Sequence, residues 1–174
     1  MKRKIDIAKL KVLLLSGGIS AEKVKLLIDR AEADKSINLL KSSIVWYLEE
    51  VSGEEDVFLL VKKICNYFDI HFISLSSERF FAICKAIQEQ NEVISQIIQD
   101  IQYPELTDIQ KEAGYGEKHF GTAGLICNLA EAFNIDYLQA EKQPVIALTK
   151  LRMQAHLATC RANEQKIKDM FKKD

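Results

Sequence analysis

Proline and glycine are scarce in this chain: two and seven residues respectively among 174. That scarcity argues against turn-rich sandwiches and barrels and favours long helices. No apolar run approaches the roughly 18 residues that a membrane span requires, so no membrane contact is expected. Neither charge sign dominates. A net charge of −1 and a pI near 6.3 lack the basic excess that marks most nucleic-acid-binding domains. What is present is globular: 48% apolar and 28% charged residues, at a length that suits one domain or two small ones.

Zinc spacing is also missing. Cys65, Cys84, Cys127 and Cys160 form no C-x-x-C pair, and His71, His119 and His156 form no H-x₃₋₅-H pair. No metal and no cofactor is therefore expected. Each cysteine has apolar neighbours on a predicted helix face, which reads as four reduced, mostly buried thiols. Met1-Lys2-Arg3-Lys4 imitates the charged start of a signal peptide, but Asp6, Lys9 and Lys11 interrupt any apolar core behind it. A cytoplasmic location is expected.

Apolar residues recur at helical spacing almost throughout. A first helix is expected over Ile5 to Leu15, ended by Gly17-Gly18, and a second behind the cap residue Ser20, with Val24, Leu27, Ile28 and Ala31 on one face. Ile37, Leu40, Ile44, Leu48 and Val51 predict a third helix from Ser36 to Val51. Ser52-Gly53-Glu54-Glu55 reads as a capping box for a fourth, with Val57, Leu60, Val61, Ile64 and Phe68 in one stripe. Phe72 to Leu75 can be extended. The longest helix then runs from Ser76 or Ser77 to Gln102. Its positions Phe80, Cys84, Ile87, Asn91, Ile94, Ile98 and Ile101 alternate steps of four and three, the pattern of a helix-pairing seam with one polar member. Asn91 either fixes a register there or sits at the wet edge of an ordinary bundle helix.

Tyr103-Pro104 breaks the helix, and Thr107-Asp108-Ile109-Gln110 is a second capping box, opening a short helix that ends at Gly114. A helix to Phe133 follows the irregular Gly114–Gly124 stretch. Asn134 to Gln143 is a loop with one turn at most, and Pro144 opens a final helix to Met170. The expected fold is an all-α bundle of seven or eight helices, roughly 65–75% helical, with residues 1–103 and 104–174 as two helical parts.

Sliding the chain on itself by 65 positions sets residues 57–87 over 122–152, with five identities and six conservative pairs in 31 places. Phe68 meets Phe133, Ile70 meets Ile135 and Lys85 meets Lys150. Each copy reads as a helix–loop–helix unit that must pack on something else. Duplication and chance agreement between two amphipathic patterns both remain open. If the copies are related, Phe68 and Phe133 should close equivalent helix ends.

The best candidate site is glycine-rich. Gly116-x-x-x-x-Gly121-Thr122 has the outer spacing of a phosphate-binding loop, but Thr122 stands where that loop requires lysine. Gly116, Lys118, His119, Gly121 and Thr122 can still form a weak anion site at a helix start. The plainer reading is that the glycines let the chain turn and pack closely. Catalysis by Cys84, Cys127 or Cys160 beside a histidine is disfavoured, because helical faces place all three inside. The pair Glu49/Glu50 reads as a solvated face, Glu54/Glu55 as part of a cap, and His156 as a structural or half-exposed residue rather than a ligand.

Residues 1–12 hold five basic residues against one acidic, and residues 150–174 seven against three, so the middle is acidic. Basic ends can touch phosphate, but the acidic middle repels it. The stretch Gly121-Thr-Ala-Gly-Leu-Ile-Cys-Asn-Leu-Ala-Glu-Ala-Phe-Asn-Ile-Asp, followed by a helix rich in small residues from Pro144, resembles the helical ends of small tail-assembly chaperones of prophages. The resemblance covers the C-terminal third. It implies no catalysis, and helix faces that shield a partner during assembly. The expected function is a non-catalytic protein–protein interaction or assembly role, through a groove between helices or by self-association. A nucleic-acid-associated regulator using its basic ends is the alternative, and an enzyme of unknown class comes third.

Overall fold

A computed structural model of the chain describes residues 10–13, 16–101, 108–112 and 121–171. The fold is all-α: 76% of it is helical, with eight α-helices and no strand among the described residues. The helices are α1 (Ala21–Asp29), α2 (Ile44–Trp46), α3 (Val57–Tyr67), α4 (Ser77–Gln99), α5 (Asp108–Glu112), α6 (Gly121–Phe133), α7 (Tyr137–Glu141) and α8 (Leu148–Phe171). Residues 10–13 form a further helical turn. The chain divides into two compact units, Met1–Ser42 with Trp46–Val93, and Ser43–Val45 with Ile94–Asp174. The division expected at Tyr103-Pro104 stands about ten residues after this one, which falls inside α4.

In the first unit the local signals act as the sequence suggests at α1. Ser20 is extended at the cap, and its hydroxyl accepts from the Lys23 amide at 3.3 Å. Gly17 takes the left-handed conformation at φ +70°, behind a Ser16 amide that bonds the Val12 carbonyl. The expected faces of α1 are only half-buried.

The helix predicted over Ser36–Val51 is broken. A 3₁₀ turn, Leu39–Lys41, ends at an extended Ser42 whose hydroxyl donates to the Leu39 carbonyl at 2.7 Å. A serine pair offers the backbone this local alternative to helix. Gln90 of α4 completes it: its side-chain oxygen accepts from the Leu39 amide at 2.6 Å, and its nitrogen donates to the Ile37 carbonyl at 3.0 Å. The shift exchanges two expected core residues, so Leu39 and Tyr47 are buried rather than Leu40 and Leu48. Helix α2 then widens into a π-turn, Tyr47–Val51, in which the Ser52 amide reaches back to the Tyr47 carbonyl.

The capping box at Ser52 is likewise not used. Gly53, at φ +92°, ends the preceding turn, and Asp56 caps α3 by accepting from the Phe58 and Leu59 amides at 2.8 and 3.0 Å. Glu54 and Glu50 instead hold Lys63 at 2.9 and 3.1 Å. That hydrogen bond from Lys63 keeps the Glu54 carboxyl below its ordinary range. Phe72–Ser74 is a 3₁₀ turn, not an extended segment.

Helix α4 is the centre of the first unit. Phe80, Phe81, Ile83, Cys84, Ala86 and Ile87 are all buried, which covers most of its circumference. That face is broader than a single pairing seam, while Glu78, Arg79, Gln88, Glu89 and Glu92 keep the other side polar and exposed. Asn91 is partly buried and accepts from the Tyr47 hydroxyl at 3.1 Å, within the first unit.

In the second unit the core gathers Ile94, Ile97, Ile126, Leu129, Leu148 and Leu151. Ser43–Val45 belongs to it through one isolated bridge, Ser43 to Pro144, with the Ile44 amide on the Gln143 carbonyl at 2.9 Å. Asp136 caps α7, accepting from the Gln139 amide at 2.8 Å. Pro144 is extended and leads into a 3₁₀ turn, Val145–Ala147, before α8 begins. The Thr107 capping box lies mostly outside the described residues.

The internal echo has a local structural counterpart. After α3, Asp69 is left-handed at φ 55°, its amide meets the Asn66 carbonyl, and the Ile70 amide meets the Cys65 carbonyl. After α6, Asn134 is left-handed at φ 54°, its amide meets the Glu131 carbonyl, and the Ile135 amide meets the Ala130 carbonyl. These are two Schellman ends, 65 positions apart, each using the Asx residue that best tolerates this conformation after glycine. Burial keeps the same register: Val61 and Ile126, Ile64 and Leu129, Ile83 and Leu148 are all fully buried. The pairing loosens further on, since α4 starts at Ser77 whereas α8 starts only at Leu148. Phe68 and Phe133 close their helices half-buried rather than buried, Phe133 under the Lys150 ammonium at 3.9 Å from its centroid.

Candidate interaction surfaces

Among the described residues, helix α8 provides the longest helical stretch without a buried side chain. It buries Leu148, Leu151 and Ala155, and no residue beyond Ala155. The remaining sixteen residues extend for about 24 Å. Leu157, Ile167, Met170 and Phe171 are exposed along them, Phe171 to 78%. Leu157, Cys160, Glu164, Ile167 and Phe171 repeat at steps of three and four, the spacing of a helix-pairing seam. This spacing is visible in the sequence. It is overlooked when the basic residues around it are read only as a solvated terminus.

Short-range pairs support the arm, one of them on the seam itself. Lys168 meets Glu164 at 2.5 Å and the Gln165 amide donates to Asp169 at 2.8 Å, both four residues apart. At the base of the arm, a cleft of about 740 Å³ is lined by Asp100, Thr149, Arg152, Met153, His156 and Thr159, all in the second unit. Arg152 is held there by Asp100 at 2.6 Å. The two threonine hydroxyls donate to the Ile146 and Ala155 carbonyls of their own helix region. The cleft's cation and hydroxyls are thus already engaged within the unit.

The sequence-derived anion site lies largely beyond view. Gly116, Lys118 and His119 are outside the described residues. Gly121 opens α6 in the left-handed conformation at φ +52°, with open space where a Cβ would stand, and Thr122 is partly buried behind it. The left-handed conformation gives Gly121 a reason of its own, the turn into α6.

The expectation for the thiols needs correction. Cys65 and Cys84 are buried, but Cys127 and Cys160 are exposed. Apolar neighbours in sequence mark a helix face only when something covers that face, and nothing among the described residues of the second unit covers these two. Cys160 Sγ stands 3.6 Å from His156 Nε2, one turn earlier on α8. Among the described residues no group of three or more His, Cys, Asp or Glu side chains is placed to hold a metal ion. Burial pushes the Cys65 thiol up to about 11 and the Cys84 thiol up to about 12. Labelling the native protein with a maleimide near neutral pH should therefore modify two thiols quickly, identified by peptide mapping as Cys127 and Cys160. The other two should react only on unfolding, because the thiolate is the nucleophile and theirs is both scarce and covered. Four fast thiols, or fast reaction at Cys84, would contradict this placement.

In the first unit, Asp34 joins α4 to the segment before Ile37. Its carboxylate accepts from Arg79 Nε at 2.9 Å and from the Ser36 amide and hydroxyl at 2.9 and 2.6 Å. Desolvation opposes ionisation there, but these bonds outweigh it and hold the carboxyl below its ordinary value. The arrangement is a structural latch with all its oxygens in use.

No helix among the described residues is long and apolar enough to cross a membrane. These features define an all-α protein of two small helical units with an exposed C-terminal helix. No protein-family model matches the chain, and no match is found among the curated proteins or the solved structures.

Proposed function

We propose that the chain is a non-catalytic protein–protein interaction protein, and that the distal half of α8 receives a partner helix. The observation that carries this reading is the absence of any buried residue after Ala155 in a helix that continues to Phe171. Most helical stability in proteins comes from packing an apolar face, and this sixteen-residue extension packs none. The stripe from Leu157 to Phe171 is such a face, interrupted by the charged Glu164. Arg161, Lys166 and Lys168 stand beside it together with Glu164 and Asp169, and Lys168 is paired with Glu164, so the apolar side chains rather than net charge carry the recognition. An assembly chaperone of the kind that the C-terminal third resembles would use an apolar helix face in this way.

Photo-crosslinking in the cells that make the protein tests the reading. A benzophenone side chain at position 157 or 167 should give one discrete adduct with a partner protein, and the same group at Gln165 or Asp169 should not. Leu157→Asp combined with Ile167→Asp should abolish the adduct from position 160 without lowering the melting temperature, since both side chains are exposed. Equal adducts from both faces, or none from the stripe, would refute the proposal.

A further inference from the structure

We infer that the first unit carries a second docking site, a cleft beside α3 that takes a short acidic segment of a partner protein anchored by a large apolar side chain. The inference rests on the reading of the chain as an interaction protein, but it concerns a surface other than α8.

The cleft has a volume of about 420 Å³ and is lined by Lys11, Asp56, Phe58, Leu59, Lys62, Phe72 and Ile73. That volume lies at the small end of the range of ligand sites and suits one or two side chains. Its floor is preorganised, because Phe58 stacks on the buried Phe80 with centroids 4.9 Å apart. Its rim is apolar beyond what the fold needs: Ile73 is 78% exposed and Leu59 is 41% exposed. A second cleft, of about 540 Å³, shares Lys62, Phe72 and Ile73, so Ile73 stands between two hollows.

The charges decide what fits. Lys11 Nζ lies 5.7 Å from the Phe58 ring centroid, and neither Lys11 nor Lys62 forms an ion pair among the described residues. Asp56 is the cleft's one carboxylate, and it is matched by the α3 amides that it caps. Two ammonium groups with no ion-pair partner among the described residues, set over an apolar floor, favour carboxylates next to an aliphatic or aromatic anchor and disfavour a basic segment.

The echo in the second unit supplies an internal comparison. Leu138, the counterpart of Ile73, is similarly exposed at 66%. The counterparts of Phe58, Leu59 and Lys62 are Ala123, Gly124 and Cys127, which provide neither floor nor cation. An exposed aliphatic at the connector is thus common to both halves, whereas the cleft chemistry belongs to the first alone.

The test is fluorescence anisotropy at low ionic strength with a labelled peptide EDELFEIDE, its lysine-substituted twin and a twin with serine at the three apolar places. The full chain should bind the acidic apolar peptide saturably and neither twin. Ile73→Asp and Lys62→Glu should each weaken binding by about tenfold or more. Leu138→Asp, and the Leu157→Asp/Ile167→Asp chain that removes the α8 stripe, should leave affinity within about twofold, so that failure of the α8 reading is separable from failure here. Melting temperatures of all variants verify folding, and Lys62→Glu alters only an exposed charge if Ile73→Asp proves disruptive. Absence of saturable binding, equal binding of the lysine twin, or equal loss with Leu138→Asp would overturn the inference.

Discussion

Phe80→Ala is expected to destabilise the protein by about 3–5 kcal/mol, the range for truncating a buried aromatic. Phe80 is 1% exposed and lies at the start of the central helix α4. It is stacked on Phe58 and set edge-on to Phe81 at 5.6 Å. The substitution removes the transferred area, leaves a cavity, and breaks two aromatic contacts that add about 0.5–1.5 kcal/mol beyond their area. For a chain of this length the melting temperature should fall by roughly 6–20 °C. Phe80→Leu, which keeps most of the volume, should cost far less. The pair also couples stability to the proposed cleft, because Phe58 loses the ring that fixes its orientation. A thermal melt of Phe80→Ala within a degree or two of the parent would show that the ring is not packed as described.

Ile64→Ala and Leu129→Ala form the second comparison. Both residues are fully buried, occupy matching places in the 65-residue echo, and point into the cores of different units. Each substitution should cost about 2–5 kcal/mol in denaturant unfolding, with closely similar values. Phe68 and Phe133, which the sequence suggests as the closing residues, should cost less because both are half-buried. If one of the two aliphatic truncations costs under about 1 kcal/mol while the other exceeds 3, the two interiors are not built alike. The equivalence would then be confined to the helix ends.

What the residues reveal by themselves depends on how far their chemistry reaches. Ser20 caps α1 because its hydroxyl needs only an amide three residues away. Asp69 and Asn134 end α3 and α6 because a left-handed residue and two carbonyls within five positions suffice. The all-α class follows in the same way from apolar periodicity and from the scarcity of proline and glycine. The stripe on α8 is legible too, as a three-and-four spacing from Leu157 to Phe171, although not its exposure.

The tertiary structure decided where local alternatives compete. Helix is available to Ser36–Val51 on periodicity, yet Gln90, 51 positions from Leu39, satisfies the amide and carbonyl that a break sets free. Ser52 and Asp56 both offer a cap for α3, and the left-handed Gly53 leaves the start to Asp56. Cysteines with similar neighbours in sequence separate into Cys65 and Cys84, covered by their own unit, and Cys127 and Cys160, left outside. Burial is a property of what arrives from elsewhere in the chain. No window of sequence contains that information, whereas caps and turns are complete within one.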